Sequence, residues 1–351
     1  MTQANPMAAQ LLNVSSAAYG AYATNRLFER CPEAKDRFGE MAFTYWKDHF
    51  GQRIKELSAA VLVGEVGLFN SHVSWAKAAF EAREIQNDLI RESLHALKDV
   101  LGEELPEMCR QTPIQFIEIA IEDLKLSNKS FQPLEATDPP SKLALQYLVK
   151  VLNGDSNSAI ELIVDAFDNG LDVNQTYHAL LLAQQEVGRM WHLAEVSIAE
   201  EHLVTLTTER AMAVLVYKSE KKPSNGKTVI SAAVAENSHH IGVRAVSDIF
   251  EINGWRGVCL GSDSPASEIA HAAEVFKASL VLLSAAISTH LNSLQKAIEI
   301  IRKQSPTCKI LVGGMAFAGT NDLWKQLGAD GFAANPVEAL SVGAKLVGVT
   351  K

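Results

Sequence analysis

The chain reads as a multidomain α plus α/β protein: an all-helical N-terminal domain, a four-helix bundle, and a C-terminal five-stranded parallel sheet of Rossmann or flavodoxin-like type. Three observations predict this. Helical periodicity occupies residues 1–218. Two polar, proline-bearing stretches, 129–140 and 219–227, interrupt it. From Thr228 onward short apolar runs alternate with helical patterns, as β-α units do.

In the first domain, 1–128, Phe69, Val73, Ala76 and Phe80 recur at helical spacing, as do Ile90, Leu94, Leu97 and Leu101. Pro32, Gly64, Pro106 and Pro113 punctuate it. The linker, 129–140, carries Pro133, Pro139 and Pro140; paired prolines cannot continue a helix, which sets the boundary there. The second domain, 141–218, has a helix from Ser141 to Leu152, a turn at Gly154-Asp155, and a helix ending near Asn169-Gly170. A third helix covers Val173–His192. A fourth starts at Ser197, where Ser197 and Glu200 have the spacing of a capping box. After the linker 219–227, the third domain, 228–351, offers five strand candidates. They are Thr228–Val234, Gly257–Leu260, Ser279–Ala286, Lys309–Gly313 and Gly331–Ala334. Doubly wound sheets bind ligands at the carboxyl ends of their strands, near the switch in strand order.

Bulk properties exclude several classes. The chain is 47% apolar and 21% charged with a net charge of −9, and it lacks the clustered Lys and Arg of a nucleic-acid surface. Its four cysteines form no Cys-x-x-Cys pair, against a zinc site or a disulfide framework. The N-terminus has no basic region followed by an apolar one, and no apolar run nears the roughly 20 residues of a membrane span. A cytoplasmic protein with no direct nucleic-acid or membrane contact is expected.

The loop after the first strand reads Glu236-Asn237-Ser238-His239-His240-Ile241-Gly242. It lacks the Gly-x-Gly-x-x-Gly turn of dinucleotide binders. A neutral imidazole here could ligate a transition metal from the binding edge of the sheet. The run resembles the Asp-x-His-x-x-Gly signature of cobalamin-binding domains, with Asn237 in place of the acidic residue. The resemblance implies that His239 is the lower axial ligand of the cobalt, that the residue at 237 orients its ring, and that Gly242 gives room to the displaced nucleotide tail. Ser238 lies within the same loop. Ser284 resembles the serine that meets the buried base, and Gly313-Gly314 the paired glycines along the tail.

In the bundle, Trp191 and His192 are followed by Ile198, Glu201 and His202. Singly, Trp191 is an ordinary core aromatic and Glu201-His202 an ordinary first turn. Together, Trp, nine residues and Glu-His resemble the cap of cobalamin-dependent photoreceptors. That resemblance implies Trp191, Ile198, Glu201 and His202 around the upper face of adenosylcobalamin. It also implies that His192 is the upper cobalt ligand once light breaks the Co–C bond.

With a helical first domain, the arrangement resembles photocobilins, in which a globin-like domain carries a bilin such as biliverdin. His72, Trp75 and Arg83 are the pocket candidates there. The expectation is a sensor, not an enzyme, acting through a homo-oligomer and a downstream signalling protein. The alternative is the corrinoid carrier of a methyltransferase system, which shares the His loop and a helical cap. A mutase would need a large barrel, for which the chain has no room.

Overall fold

The computed structural model describes residues 5–85, 87–126, 131–320 and 322–349. They fall into two compact units, one on the N-terminal side of Phe131 and one from Phe131 onward. Part of the linker expected at 129–140, residues 129 and 130, lies outside the described residues, as does its boundary with residue 128.

The first unit is helical: α1 (Pro6–Val14), α2 (Ser16–Arg30), α3 (Ala42–Val63), α4 (Val66–Ala82), α5 (Asn87–Glu104) and α6 (Glu107–Leu126). Asn5 starts α1 by accepting from Ala8 N at 3.0 Å, with Pro6 in the first turn, where its missing N–H is no loss. Trp46, Phe50, Phe69, Phe116, Leu27 and Leu57 fill one core. The periodic residues of α4 and α5 face it: Phe69, Val73 and Phe80, then Ile90, Leu94, Leu97 and Leu101. Pro113 does not end a helix but sits within α6. The helix expected from Ser141 begins two residues earlier, and Ser141 completes its capping box by accepting from Asp138 N at 3.0 Å. Asp138 is the N-cap of α7 (Pro139–Leu152), and Ser141 N donates to its Oδ1 at 2.8 Å. The paired prolines therefore open the helix, filling its first turn.

The second unit continues with α8 (Ser156–Asp168), α9 (Val173–His192) and α10 (Ile198–Lys218). These four helices pack around Leu148, Ile163, Tyr177, Leu180, Met212 and Leu215. Ser197 and Glu200 close the capping box at the start of α10: Ser197 N donates to Glu200 Oε2 at 2.7 Å, and Glu200 N donates to Ser197 Oγ at 3.3 Å.

The sheet follows as β1 (Thr228–Val234), α11 (Ile241–Ile252), β2 (Arg256–Ser264), α12 (Ala266–Val275), β3 (Leu280–Ser284), α13 (Leu291–Gln304), β4 (Lys309–Gly313), α14 (Leu323–Gln326), β5 (Gly331–Ala333) and α15 (Pro336–Val347). All pairs are parallel and the order is β2-β1-β3-β4-β5, the flavodoxin-like order expected. Every residue of β1 is buried, so both faces of the sheet are covered. Phe250 of α11 and residues of α15 pack on Val229, Leu280, Leu282 and Leu311.

Ile241, Ala245, Ile249 and Ile252 of α11 join the core of the four helices, fixing them to the sheet. A buried polar contact lies within that apolar seam. Tyr177 on α9 donates to Asp248 Oδ2 at 2.9 Å, and Arg244 Nε lies 3.6 Å from the same oxygen. Burial lifts the Asp248 carboxyl to about 6, against the pull of Tyr177 and Arg244. An unfolded aspartate titrates at about 3.9. A folded pKa above the unfolded one gives stability that is complete below about pH 4 and lost as pH climbs through about 6, roughly 3 kcal/mol in all. Asp248→Asn should abolish that part of the pH dependence. The melting temperature of the variant relative to wild type should rise between about pH 4 and pH 7; a constant difference would show that Asp248 ionises freely.

Candidate functional site

The carboxyl ends of β1 and β3 lie side by side where the strand order reverses, and the loop from β1 into α11 occupies that edge. Asn237 is fully buried and holds the loop. Its backbone N donates to Val234 O and its carbonyl accepts from Asp263 N. Its side-chain Nδ2 donates to the Ser284 carbonyl at 3.0 Å, which turns Oδ1 toward His239. That oxygen accepts from His239 N at 3.0 Å and stands 3.3 Å from His239 Nδ1. An amide oxygen can only accept, so the ring carries its proton on Nδ1 and keeps its lone pair on Nε2.

His239 is exposed at its edge, yet its pKa is below the ordinary imidazole value. Partial burial is the main cause and His240 adds to it, while the Glu201 charge opposes them. A neutral imidazole with a fixed tautomer and an accessible Nε2 is a metal ligand. The Asn at 237 thus has its own reason: a carboxylate could orient the ring but could not donate to Ser284 O.

The cap lies over this loop. His240 pairs through Nε2 with Glu209 of α10, and Glu201, in the first turn of α10, is near enough for its charge to act on His239. Glu201 Oε1 accepts from Thr205 Oγ1 at 3.0 Å. His202 is exposed beside it, with Nε2 3.7 Å from Glu201 Oε2. Trp191 and Ile198, at the facing ends of α9 and α10, are exposed apolar side chains. His192 is buried, its ring edge-on to Phe131 at 5.8 Å between centroids. Sequence reasoning missed Glu209, and also His290, a buried ring 6.4 Å from that of His239 whose Nδ1 accepts from Ile287 N. Neither lies in a motif; both are brought to the site by the chain's path.

The first turn of α11 leaves open space beside the loop. A Cβ on Gly242, in the first turn of α11, would meet nothing within 4 Å. Ser238 is exposed in the loop, and Ser284 ends β3. Gly313 ends β4 and Gly314 follows it; a Cβ on Gly313 would lie 2.8 Å from Ala333 O and one on Gly314 2.2 Å from Ala285 O, so close strand-end packing requires both glycines. Among the described residues no three His, Cys, Asp or Glu side chains converge as a protein-only metal site.

In the first unit, His72 Nδ1 stands 3.5 Å from Glu56 Oε1, and Glu56 is paired with the buried Arg53. Trp75 is exposed, and Arg83 donates to the Ala79 carbonyl from the end of α4. The three bilin-pocket candidates thus lie along one helix and its cap.

Residues 227–341 match a family model described as the B12 binding domain, and residues 143–216 match a second model of the same description. Together they make a cobalamin-binding module of the four helices and the sheet. The chain is 27% identical over 207 residues to a corrinoid protein of Desulfitobacterium hafniense, covering 56% of this chain and 94% of that one. It is 26% identical over 196 residues to trimethylamine corrinoid protein 1 of Methanosarcina acetivorans, covering 53% and 88%. It spans little more than half the length of the dimethylamine corrinoid proteins of Methanosarcina mazei. Among solved structures, the monomethylamine corrinoid protein of Methanosarcina barkeri aligns with a TM-score of 0.52 at 21% identity, covering 59% of this chain and 100% of that one, which shows the fold.

These relatives overturn the light-sensor expectation: they are corrinoid proteins, several named for methylamines. Trp191 lies near the end of α9, and Glu201 and His202 near the start of α10. No helix among the described residues is long and apolar enough to cross a membrane.

Proposed function

We propose that residues 143–341 act as the corrinoid carrier of a methyl-transfer system, with His239 as the lower axial ligand of the cobalt. The carrying observation is the His239 side chain: exposed on the binding edge of the sheet, its pKa lowered, and held at Nδ1 by Asn237, which leaves Nε2 as the ligand atom. A bound cobalt corrinoid supplies a metal centre able to take up and release a methyl group.

The residues of this chain supply the rest. Asn237 holds the ring without adding negative charge, so His239 is a weaker donor than one backed by a carboxylate. Trp191 and Ile198 would shield the upper side from water, with Glu201 and His202 flanking it. Ser238, Gly242, Ser284, Gly313 and Gly314 would line the path of the nucleotide tail. A partner methyltransferase must reach the upper side, so the α9–α10 tip has to move; the His240–Glu209 pair is among the contacts it would break. The names of the relatives point to methylamines as methyl donors. Cell extract of the source organism, supplied with isotope-labelled mono-, di- or trimethylamine, should then load label onto added, reduced holoprotein. Loading from none of these, and none when labelled methanol replaces them, contradicts the carrier reading.

A further inference from the structure

Ser231 lies in the middle of β1, is fully buried, and its Oγ has no hydrogen-bond partner. Among the described residues of the second unit it is the only buried side-chain polar atom in that position. Beyond Thr228 at its start, the other residues of the strand are apolar and buried: Val229, Ile230, Ala232, Ala233 and Val234. An unpaired hydroxyl inside a sheet destabilises the unloaded fold, and alanine would not.

Its place in the sheet indicates what would pair with it. Ser231 is in register with Leu282, and Ala233 with Ser284. Alternate residues share a face, so Ser231 and Ser284 look to the same side, Ser231 about 7 Å deeper along the strands. That side is the one covered by α11, since Val229, Leu280 and Leu282 pack on Phe250. Gly242, Val246 and Phe250 are spaced four apart and form one stripe of α11. Phe250 closes the deep end of the stripe, and at the shallow end Gly242 leaves open space.

We infer that the Ser231 hydroxyl is a hydrogen-bond group for the base at the end of the corrinoid's nucleotide tail, inserted between α11 and the sheet. This rests on the corrinoid reading above and adds to it a contact deep in the strand, away from the His loop. The ring nitrogens of such a base accept hydrogen bonds, and Ser231 is a buried donor with nothing else to serve.

The test compares two corrinoids on the full chain: cobalamin, which carries the tail, and cobinamide, which has the same corrin ring without it. For Ser231→Ala the Kd for cobalamin should rise roughly fivefold to tenfold, the worth of one buried hydrogen bond, while the Kd for cobinamide stays unchanged. Ser231→Cys, of similar size but a poor donor, should behave as the alanine variant does. The melting temperature of unloaded Ser231→Ala should not fall below that of wild type. Cobalamin affinity equal to wild type, or equal weakening for both corrinoids, overturns the inference. If wild type binds neither corrinoid, the corrinoid reading itself fails, and this inference with it.

Discussion

His239→Ala is expected to weaken cobalamin retention by about 100-fold or more. Losing a partner that only orients a metal ligand already costs 10- to 100-fold in typical sites, and His239 is read as the ligand itself. The change should leave the fold intact. The ring is exposed at its edge, and the loop is held by Asn237 through Val234 O, Ser284 O and Asp263 N, none of which involves the imidazole. Equilibrium dialysis against cobalamin gives the affinity, and circular dichroism of the unloaded variant gives the fold. Wild-type affinity in a folded variant would remove His239 from the metal.

Gly314→Ala should be the most disruptive single substitution near the site. Gly314 has φ of 106°, a conformation that costs an L side chain about 1–3 kcal/mol. Its added Cβ would also stand 2.2 Å from Ala285 O and 2.8 Å from Ala285 C, both rigid backbone atoms. Overpacking adds about 1–3 kcal/mol more. A loss of about 4 kcal/mol lowers the melting temperature of a unit this size by about 8–16 °C. Corrinoid binding should fall with it, because the ends of β3 and β4 must part to admit the methyl group, and the Ser284 carbonyl that anchors Asn237 moves too. An unchanged melting temperature would mean that the loop adjusts freely and that the glycine is there for the ligand alone.

The sheet was legible because its signals are local. Five apolar runs, separated by helical patterns, mark the five strands, four of them within two residues of the observed limits; β2 runs four residues past the expected Leu260, through polar residues to Ser264, and parallel β-α units leave few strand orders open. The His loop was legible because a strand-end motif needs only its own residues. Helix ends were read less well. Pro139-Pro140 looked like a stop and proved a start, since proline suits the first turn as well as it spoils the interior. The meaning of Asn237 was hidden because its partner, Ser284 O, is a backbone atom 47 residues away. Glu209 and His290 were hidden for the same reason. The cap pattern misled in another way: Trp191 and Glu201-His202 carried a resemblance to photoreceptors, whereas the relatives of this module are corrinoid proteins.

The central claim is that a nitrogen of this chain, and not of the cofactor, sits under the cobalt. Electron paramagnetic resonance of the cobalt(II) holoprotein measures that nitrogen directly, as a splitting of the cobalt lines. Protein with natural histidine should give triplets, and protein grown on nitrogen-15 histidine should give doublets. Triplets that persist in the labelled protein would assign the nitrogen to the corrinoid's own base, and lines without splitting would leave the cobalt with no axial nitrogen; either result contradicts the account.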